Sequence, residues 1–491
     1  MESIRKRYLD ITSLISDDYF DSHKRVHQDT KQQEYDEFAN DLYGWMKSMD
    51  LTENESEIFN IVFPSIYKDL SGYLSHVYDF YALSDKNVQI RFSEDNFYFD
   101  SIWNKKPINK IYAIELEKSR FKKSWKRLLY SNVFARVARP FFNTAVISTN
   151  DLVKKFAKSS GTPFLRLLPQ YIFAINLSPT NESRALSNKV SVFLISKIEE
   201  QYFDLDVNYK KYIHFLVGGV LARVSNDLIN YNGFLKGLKS VVTGTGGNYY
   251  NRLFSYLAQK EGVEVKRFDH GGDRCFFNDL SYWENELYKV DSYYTYGKLS
   301  RGCIEDMAKF FSISVNVEEL SPFSFEAEKN SAKQGGSIKG TGKILYFPSS
   351  FVGEARQFPY AKIIDTILFD FQKHLIELLQ ESGFEVTYKQ HPKGFSNGQV
   401  FMGSVADSTS TDCVNESLKG ADIVICEHAG SALMEAVCAN KKVILVNTGQ
   451  RDFNDKNKRY FAKMVKIIDA YWECNSLNVN KKRLLDLIHE S

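Results

Sequence analysis

The chain has 491 residues, too many for one ordinary core, so two or three domains are expected. Hydrophobic residues at 43% and charged residues at 25% describe a globular protein and exclude a disordered one. A net charge of +2 lacks the basic footprint of a nucleic-acid-binding protein, and six cysteines without a CxxC pair argue against a zinc ribbon or thioredoxin-type redox site.

Cysteines scattered through so long a chain fit a reducing cytosol. The opening stretch MESIRKRYLDITSL has no apolar core or cleavage signature of a signal peptide. No segment approaches the roughly 20 apolar residues of a membrane span. A cytoplasmic protein, soluble or peripheral at a membrane, is therefore expected. The aromatic share of 14% suits aromatic-lined clefts and equally an AT-rich coding sequence.

Residues 1–85 read as helical. Thr52 followed by Glu55 has the spacing of a capping box, which predicts a helix through Ile58, Ile61 and Val62. From Asn87 the texture changes to short strands, in VQIRF, NFYFDSIW and KIYAIELE. Residues 118–139 then carry Lys118, Arg120, Lys122, Lys123, Lys126, Arg127, Arg136 and Arg139 with no acidic residue, interleaved with Trp125, Leu128 and Phe134. That is the texture of a basic amphipathic helix, able to lie on anionic lipid or grip an anionic acceptor, and also of a solvated face over a core stripe.

Residues 236–268 predict a βαβ unit: the buried strand KSVVTGTG, the helix NYYNRLFSYLAQKEG and the strand VEVKRF. DSYYTYG supplies a further strand. The polar, glycine-rich stretch 326–342 reads as a linker. After it come the strand KILYFPSS, a helix over 358–382 ending at Gly383, the strand FEVTYKQHP, the strand ADIVICEHAG, the helix SALMEAVCAN, the strand KKVILVNTG and a terminal helix. The fold class is thus α/β, with two doubly wound domains: 1–85 helical, 86–325 and 343–470 α/β, and 471–491 a closing helix.

Ligands in such sheets bind beyond the carboxyl ends of the strands, so the residues just after each strand matter most. Lys389, His391, Pro392 and Lys393 end one strand with positive charge suited to phosphate. His428, Gly430, Ser431 and Glu435 lie where a strand turns into a helix, whose free N–H groups and dipole suit phosphate, while Glu435 suits a ribose diol. Ser349 and Ser350 are two hydroxyls at another strand end, or simply a serine-rich turn. Asp269, His270, Gly271, Gly272 and Asp273 follow VEVKRF directly, so carboxylates and an imidazole share a glycine-bent loop suited to base or nucleophile chemistry. Gly244 and Gly246 belong to a glycine-rich strand-to-helix turn able to cradle an anion. It is not GxGxxG, no Walker lysine follows, and no GxSxG, HExxH or EF-hand pattern occurs.

The segment DHGGDRCFFNDLSYWENELYKVDSYYTYGK resembles a signature of bacterial surface-carbohydrate transferases, with Asp269 in place of a glutamine. His391-Pro392 and the Ser431 helix start resemble the CMP-binding half of bacterial sialyltransferases and Kdo transferases. The likeness spans roughly residues 236–455, and retaining β-Kdo transferases of capsule and O-antigen synthesis match the arrangement best. That resemblance implies a GT-B fold of two Rossmann-like domains facing a cleft, the first acceptor-binding and catalytic, the second nucleotide-binding. It implies a CMP-β-Kdo donor, a glycan or lipid-linked glycan acceptor, no nucleic acid, no cofactor and no metal. Asp269 would be the nucleophile with Asp273 second, and His270 its orienting or acid/base partner. Ser349, Ser350, His391 and Ser431 would hold the CMP, and Glu435 its ribose. No DxD-type metal pair stands at a strand end, which leaves cation assistance to Lys, His and helix dipoles. An inverting transferase for another nucleotide sugar, a CDP-glycerol or CDP-ribitol phosphotransferase and a non-enzymatic glycan-binding scaffold remain as alternatives. The Ser-Asp-x-Ser-Ser run of the phosphotransferases is absent.

Overall fold

The computed structural model describes residues 5–8, 32–84, 88–91, 94, 98–102, 104–106, 137, 139–161, 163–168, 179–270, 277, 283–295, 298–320, 342–351, 363–390, 402–474 and 476–490. KIYAIELE, residues 118–136 of the basic stretch and all but the last residue of the 326–342 linker lie outside them.

Strand β1 (Arg5–Tyr8) pairs in parallel with β2 (Val88–Arg91), with Arg5 opposite Val88. Residues 1–85 are therefore not wholly helical. Four residues reading RKRY carry no period-2 pattern, and their partner is 83 positions away, so only the tertiary fold makes this strand. Helices α1 (Gln32–Ser48) and α2 (Glu53–Ser84) follow. The capping box forms as expected: the Thr52 amide donates to Glu55 at 2.9 Å, and the Glu55 amide donates to the Thr52 hydroxyl at 3.3 Å. NFYFDSIW corrects the strand expectation, because Phe99–Ile102 is a helical turn. Tyr98 and Ile102 are buried there, and the Tyr98 ring meets Tyr73 of α2 at 5.3 Å. Packing fixes this turn, and one turn is too short to show a helical period.

The first sheet is wholly parallel. Its strands are β3 (Thr144–Val146), β4 (Phe164–Arg166), β5 (Ser240–Thr243), β6 (Glu264–Phe268), β7 (Ser292–Thr295) and β8 (Asn316–Glu319), in the order β4-β3-β5-β6-β7-β8. Helix α3 (Asp151–Ser160) links β3 to β4, α4 (Asn181–Gln201) and α5 (Val207–Ile229) lead to β5, α6 (Tyr249–Lys260) joins β5 to β6, and α7 (Lys298–Phe310) precedes β8. Residues of α1, α2, α4, α5 and α6 share one hydrophobic core with β5 and β6.

The second sheet contains β9 (Lys343–Phe347), β10 (Glu385–Lys389), β11 (Ser408–Ser410), β12 (Ile423–Cys426), β13 (Lys442–Asn447) and β14 (Lys466–Asp469), ordered β11-β10-β9-β12-β13-β14 and again parallel. Helix α8 (Asp365–Glu381) packs beneath it, and Gly383 closes that helix at φ +87°, a conformation that favours glycine. Helix α9 (Ser431–Cys438) follows β12. A short antiparallel pair, β15 (Tyr471–Glu473) and β16 (Ser476–Asn478), leads to α10 (Lys481–His489). Strand β12 is buried at every position, as an uninterrupted apolar run in a parallel sheet must be. The expected architecture of two doubly wound halves is present. Among the described residues no helix is long and apolar enough to cross a membrane.

Candidate functional site

Strand order reverses between β3 and β5 in the first sheet and between β9 and β12 in the second. Each reversal opens a crevice beyond the carboxyl ends, where doubly wound sheets bind ligands. The protein treats its two crevices differently.

In the first, the chain's own groups bond most of the turn, while Asn251 Oδ1 is buried there without a hydrogen-bond partner among the described residues. Asn150 Nδ2 donates to the carbonyls of Gly244 and Asp269, each at 2.7 Å, and Asn150 Oδ1 caps α3 by accepting from Val153. The Gly244 amide donates to Ser148 Oγ at 2.9 Å. The Gly246 amide and the Thr245 hydroxyl both donate to the Glu286 carboxylate, at 2.9 and 2.7 Å. The glycine-rich turn thus cradles an anion, but that anion is Glu286, and the expectation of a turn open to a ligand is corrected. Gly246 is glycine for close packing, since a Cβ there would sit 1.6 Å from the Asn285 carbonyl oxygen.

Two buried arginines support this turn. Arg267, on β6, donates to Thr243 Oγ1 at 3.0 Å and to the carbonyls of Asn285 and Glu286 at 2.7 and 2.9 Å. Arg252, on α6, donates to the Gly246 carbonyl at 2.8 Å and to the Ile61 carbonyl at 2.9 Å, tying α2 to the sheet. Burial, then the neighbouring Arg267 charge, pulls the Arg252 guanidinium down to about 9.

Asp269 follows β6, is 1% exposed, and donates its amide to the Tyr294 carbonyl at 2.9 Å. His270 is exposed. Gly271, Gly272 and Asp273 lie outside the described residues.

The second crevice is built differently. Glu427 follows β12, and its Oε2 accepts the Ser349 amide at 2.8 Å and Gln372 Nε2 at 3.0 Å. Gln372 also donates to the Ser349 carbonyl at 3.0 Å and accepts from the Tyr388 hydroxyl at 3.2 Å. This network joins the ends of β9, β10 and β12 to α8. Yet Glu427 Oε1, Ser349 Oγ and the neighbouring Thr448 Oγ1 are buried without a hydrogen-bond partner among the described residues. Burial raises the Glu427 carboxyl well above its ordinary range, with the Ser349 amide opposing it. Burial thus favours the protonated form, while Oε2 takes both donated bonds and Oε1 takes none.

Ser350 is partly exposed beside Ser349. Lys389 is buried at the end of β10, donates to the Gln390 carbonyl at 3.2 Å, and is lowered by burial. His391, Pro392 and Lys393 lie outside the described residues. Gly430 caps α9 without a side-chain bond, Ser431 is exposed at its first position, and Glu435 is half-buried one turn on. A narrow crevice of about 10 Å³, room for about one water molecule, is bordered by Glu427, His428, Thr448, Arg451, Phe453 and, from the first half, Phe277. Glu427, Thr448, Arg451 and Phe277 escaped the sequence reading. A glutamate directly after an apolar strand was the available signal for the first, and nothing local marks the others. Among the described residues no cluster of three or more His, Cys, Asp or Glu could hold a metal.

The state of Glu427 makes a pH prediction. A carboxyl raised by folding lends its favourable contribution in acid and loses it as pH rises from the ordinary glutamate range through the raised folded value. Glu427→Gln is expected to flatten the stability profile, matching or exceeding the wild type at pH 8 and falling below it at pH 5. Melting temperatures across that range check it, and a wild type that gains on the variant as pH rises would contradict it.

No protein-family model matches the chain, and no curated protein resembles it in sequence. Among solved structures it is similar to UDP-N-acetylglucosamine 2-epimerase from Rickettsia bellii, at 11% identity and TM-score 0.29 over 70% of this chain and 87% of that one. It is similar to Arabidopsis thaliana UGT89C1 complexed with UDP-L-rhamnose, at 10% identity and TM-score 0.35 over 73% and 84%. The glycosyltransferase SnogD from Streptomyces nogalater aligns at 12% identity and TM-score 0.28 over 70% and 89%. Similarity this loose carries no argument, and the fold stands on the two parallel sheets themselves.

Proposed function

We propose that the protein is a glycosyltransferase that takes a sugar from a nucleotide donor, and that the donor is CMP-β-Kdo and the acceptor a glycan of a bacterial surface polysaccharide. The observation that carries this reading is the second crevice, where Glu427 Oε1 and Ser349 Oγ are buried without hydrogen-bond partners among the described residues, at the switch point between β9 and β12. Buried polar atoms are normally satisfied, so a carboxyl oxygen and a hydroxyl left over at a switch point call for a polar ligand, as a nucleotide is. In this reading Ser349, Ser350, Lys389, His391, Pro392, Lys393, His428, Gly430, Ser431 and Glu435 serve the donor.

The first half supplies the chemistry. An Asp269 carboxylate oxygen bonds to the anomeric carbon as the bond to the CMP phosphate oxygen breaks, and CMP leaves with the electron pair. An acceptor hydroxyl then displaces Asp269 while its proton passes to a base, for which His270 or Asp273 is placed by sequence. No metal takes part. The basic stretch 118–139 contacts the inner membrane, which fits the exposure of Val137 within it and of Phe141 just beyond it.

Thermal shift with CMP, CDP, UDP, GDP and ADP tests the reading, because a ligand of the folded state alone raises the melting temperature by mass action. Selective stabilisation by CMP is expected. Selective stabilisation by UDP or GDP would overturn the CMP donor, CDP alone would point to glycerol- or ribitol-phosphate transfer, and no shift at all would overturn the transferase.

A further inference from the structure

One side chain spans the switch point of the first sheet. Asn150 stands four positions beyond β3, at the N-cap of α3. Its Nδ2 donates across the crevice to the carbonyls of Gly244 and Asp269, each at 2.7 Å, and to that of Phe268 at 3.2 Å. Gly244 directly follows β5, while Phe268 and Asp269 are the last residue of β6 and the first beyond it. Buried backbone carbonyls need a donor, and this carboxamide brings one to the ends of two strands at once. The turn admits it closely: a Cβ at Gly244 would lie 3.1 Å from the Asn150 backbone nitrogen and 3.3 Å from its Cγ.

The other end of the carboxamide has a separate duty, since Oδ1 accepts from the Val153 amide at 2.9 Å and caps α3. Oxygen serves the helix and nitrogen serves the sheet, so substitution can part the two. Asp269 is held on both sides of its Cα, by Asn150 at its carbonyl and by the Tyr294 carbonyl at its amide. Only φ and ψ are soft at a residue, so fixing both flanking peptide planes sets the direction in which its side chain leaves the backbone. We propose that Asn150 is a positioning residue for the transfer step: it clamps the Asp269 main chain to the end of β5 and so aims the Asp269 carboxylate. The catalytic half of this inference rests on Asp269 being the nucleophile, and the clamp half does not.

The test uses the full chain with Asn150→Ser and Asn150→Asp. Both residues cap helices about as well as asparagine, so α3 is retained. Serine is too short to span the crevice, and aspartate offers the three carbonyls an oxygen in place of N–H groups. Without ligand, amide hydrogen exchange is expected to rise in peptides over 240–247 and 264–270 and to stay at the wild-type level over 151–160. Unchanged exchange over 264–270, or a rise confined to 151–160, would overturn the clamp, whatever nucleotide the protein uses. With CMP-Kdo, kcat is expected to fall by about tenfold or more, the scale of a small misplacement, while the Kd for CMP stays within about threefold. Full kcat despite raised exchange would overturn the positioning role. So would kcat and Kd worsening together, which marks a general loosening. Asp269→Ala is assayed alongside. Full turnover in that variant, or no turnover of CMP-Kdo by the wild type, would sink the reading beneath and the positioning role with it, and the exchange result would still decide the clamp.

Discussion

Asp269→Ala is expected to lower glycosyl transfer by at least about 10³-fold, because removing a nucleophile removes the covalent route. Affinity for CMP should stay within a few-fold, since the nucleotide is assigned to the other half. The expectation is specific because the Asp269 backbone is held from both sides: its amide donates to Tyr294 and its carbonyl accepts from Asn150. Truncation to alanine leaves both bonds in place, so the variant should fold. Single-turnover kinetics with CMP-Kdo and calorimetry with CMP separate the two effects. Full turnover in the variant would move the role to His270 or Asp273, and parallel loss of CMP binding would place Asp269 in the donor site.

Arg267→Met should cost about 3–5 kcal/mol of stability, the scale of a buried charge network losing one partner. Methionine fits the volume but donates nothing. The Asn285 and Glu286 carbonyls would lose a donor in a buried site, and the Glu286 carboxylate would lose a nearby cation while still fixed to Thr245 and Gly246. Lysine should fail nearly as badly, since one ammonium cannot reproduce a planar fork of donors. Thermal or urea unfolding monitored in the first half measures the loss, and an unchanged midpoint would show that the cluster contributes nothing.

Much of the architecture was legible in the sequence. Apolar runs such as SVVT and IVIC, each followed by glycine and a helical stretch, announce parallel strands by themselves, because a strand covered on both faces must be apolar throughout. Thr52 and Glu55 specify their helix start locally for the same kind of reason. The short strands β1, β3 and β4 were not legible. Three or four residues carry no readable period, and their stability comes from partners distant in the chain.

The site divides along the same line. Sequence pointed to the ends of β6, β9, β10 and β12, because position after a strand is a local property. It could not distinguish a glycine-rich turn open to a ligand from one closed by Glu286, 40 residues on, since only the folded chain brings that carboxylate to Gly246. Nor could it find that Glu427 is buried with an unsatisfied oxygen, or that Phe277 reaches the second half. Strand and helix identity follow from neighbours in sequence. Burial, charge state and contact between the halves follow from neighbours in space, and those the tertiary structure alone decided.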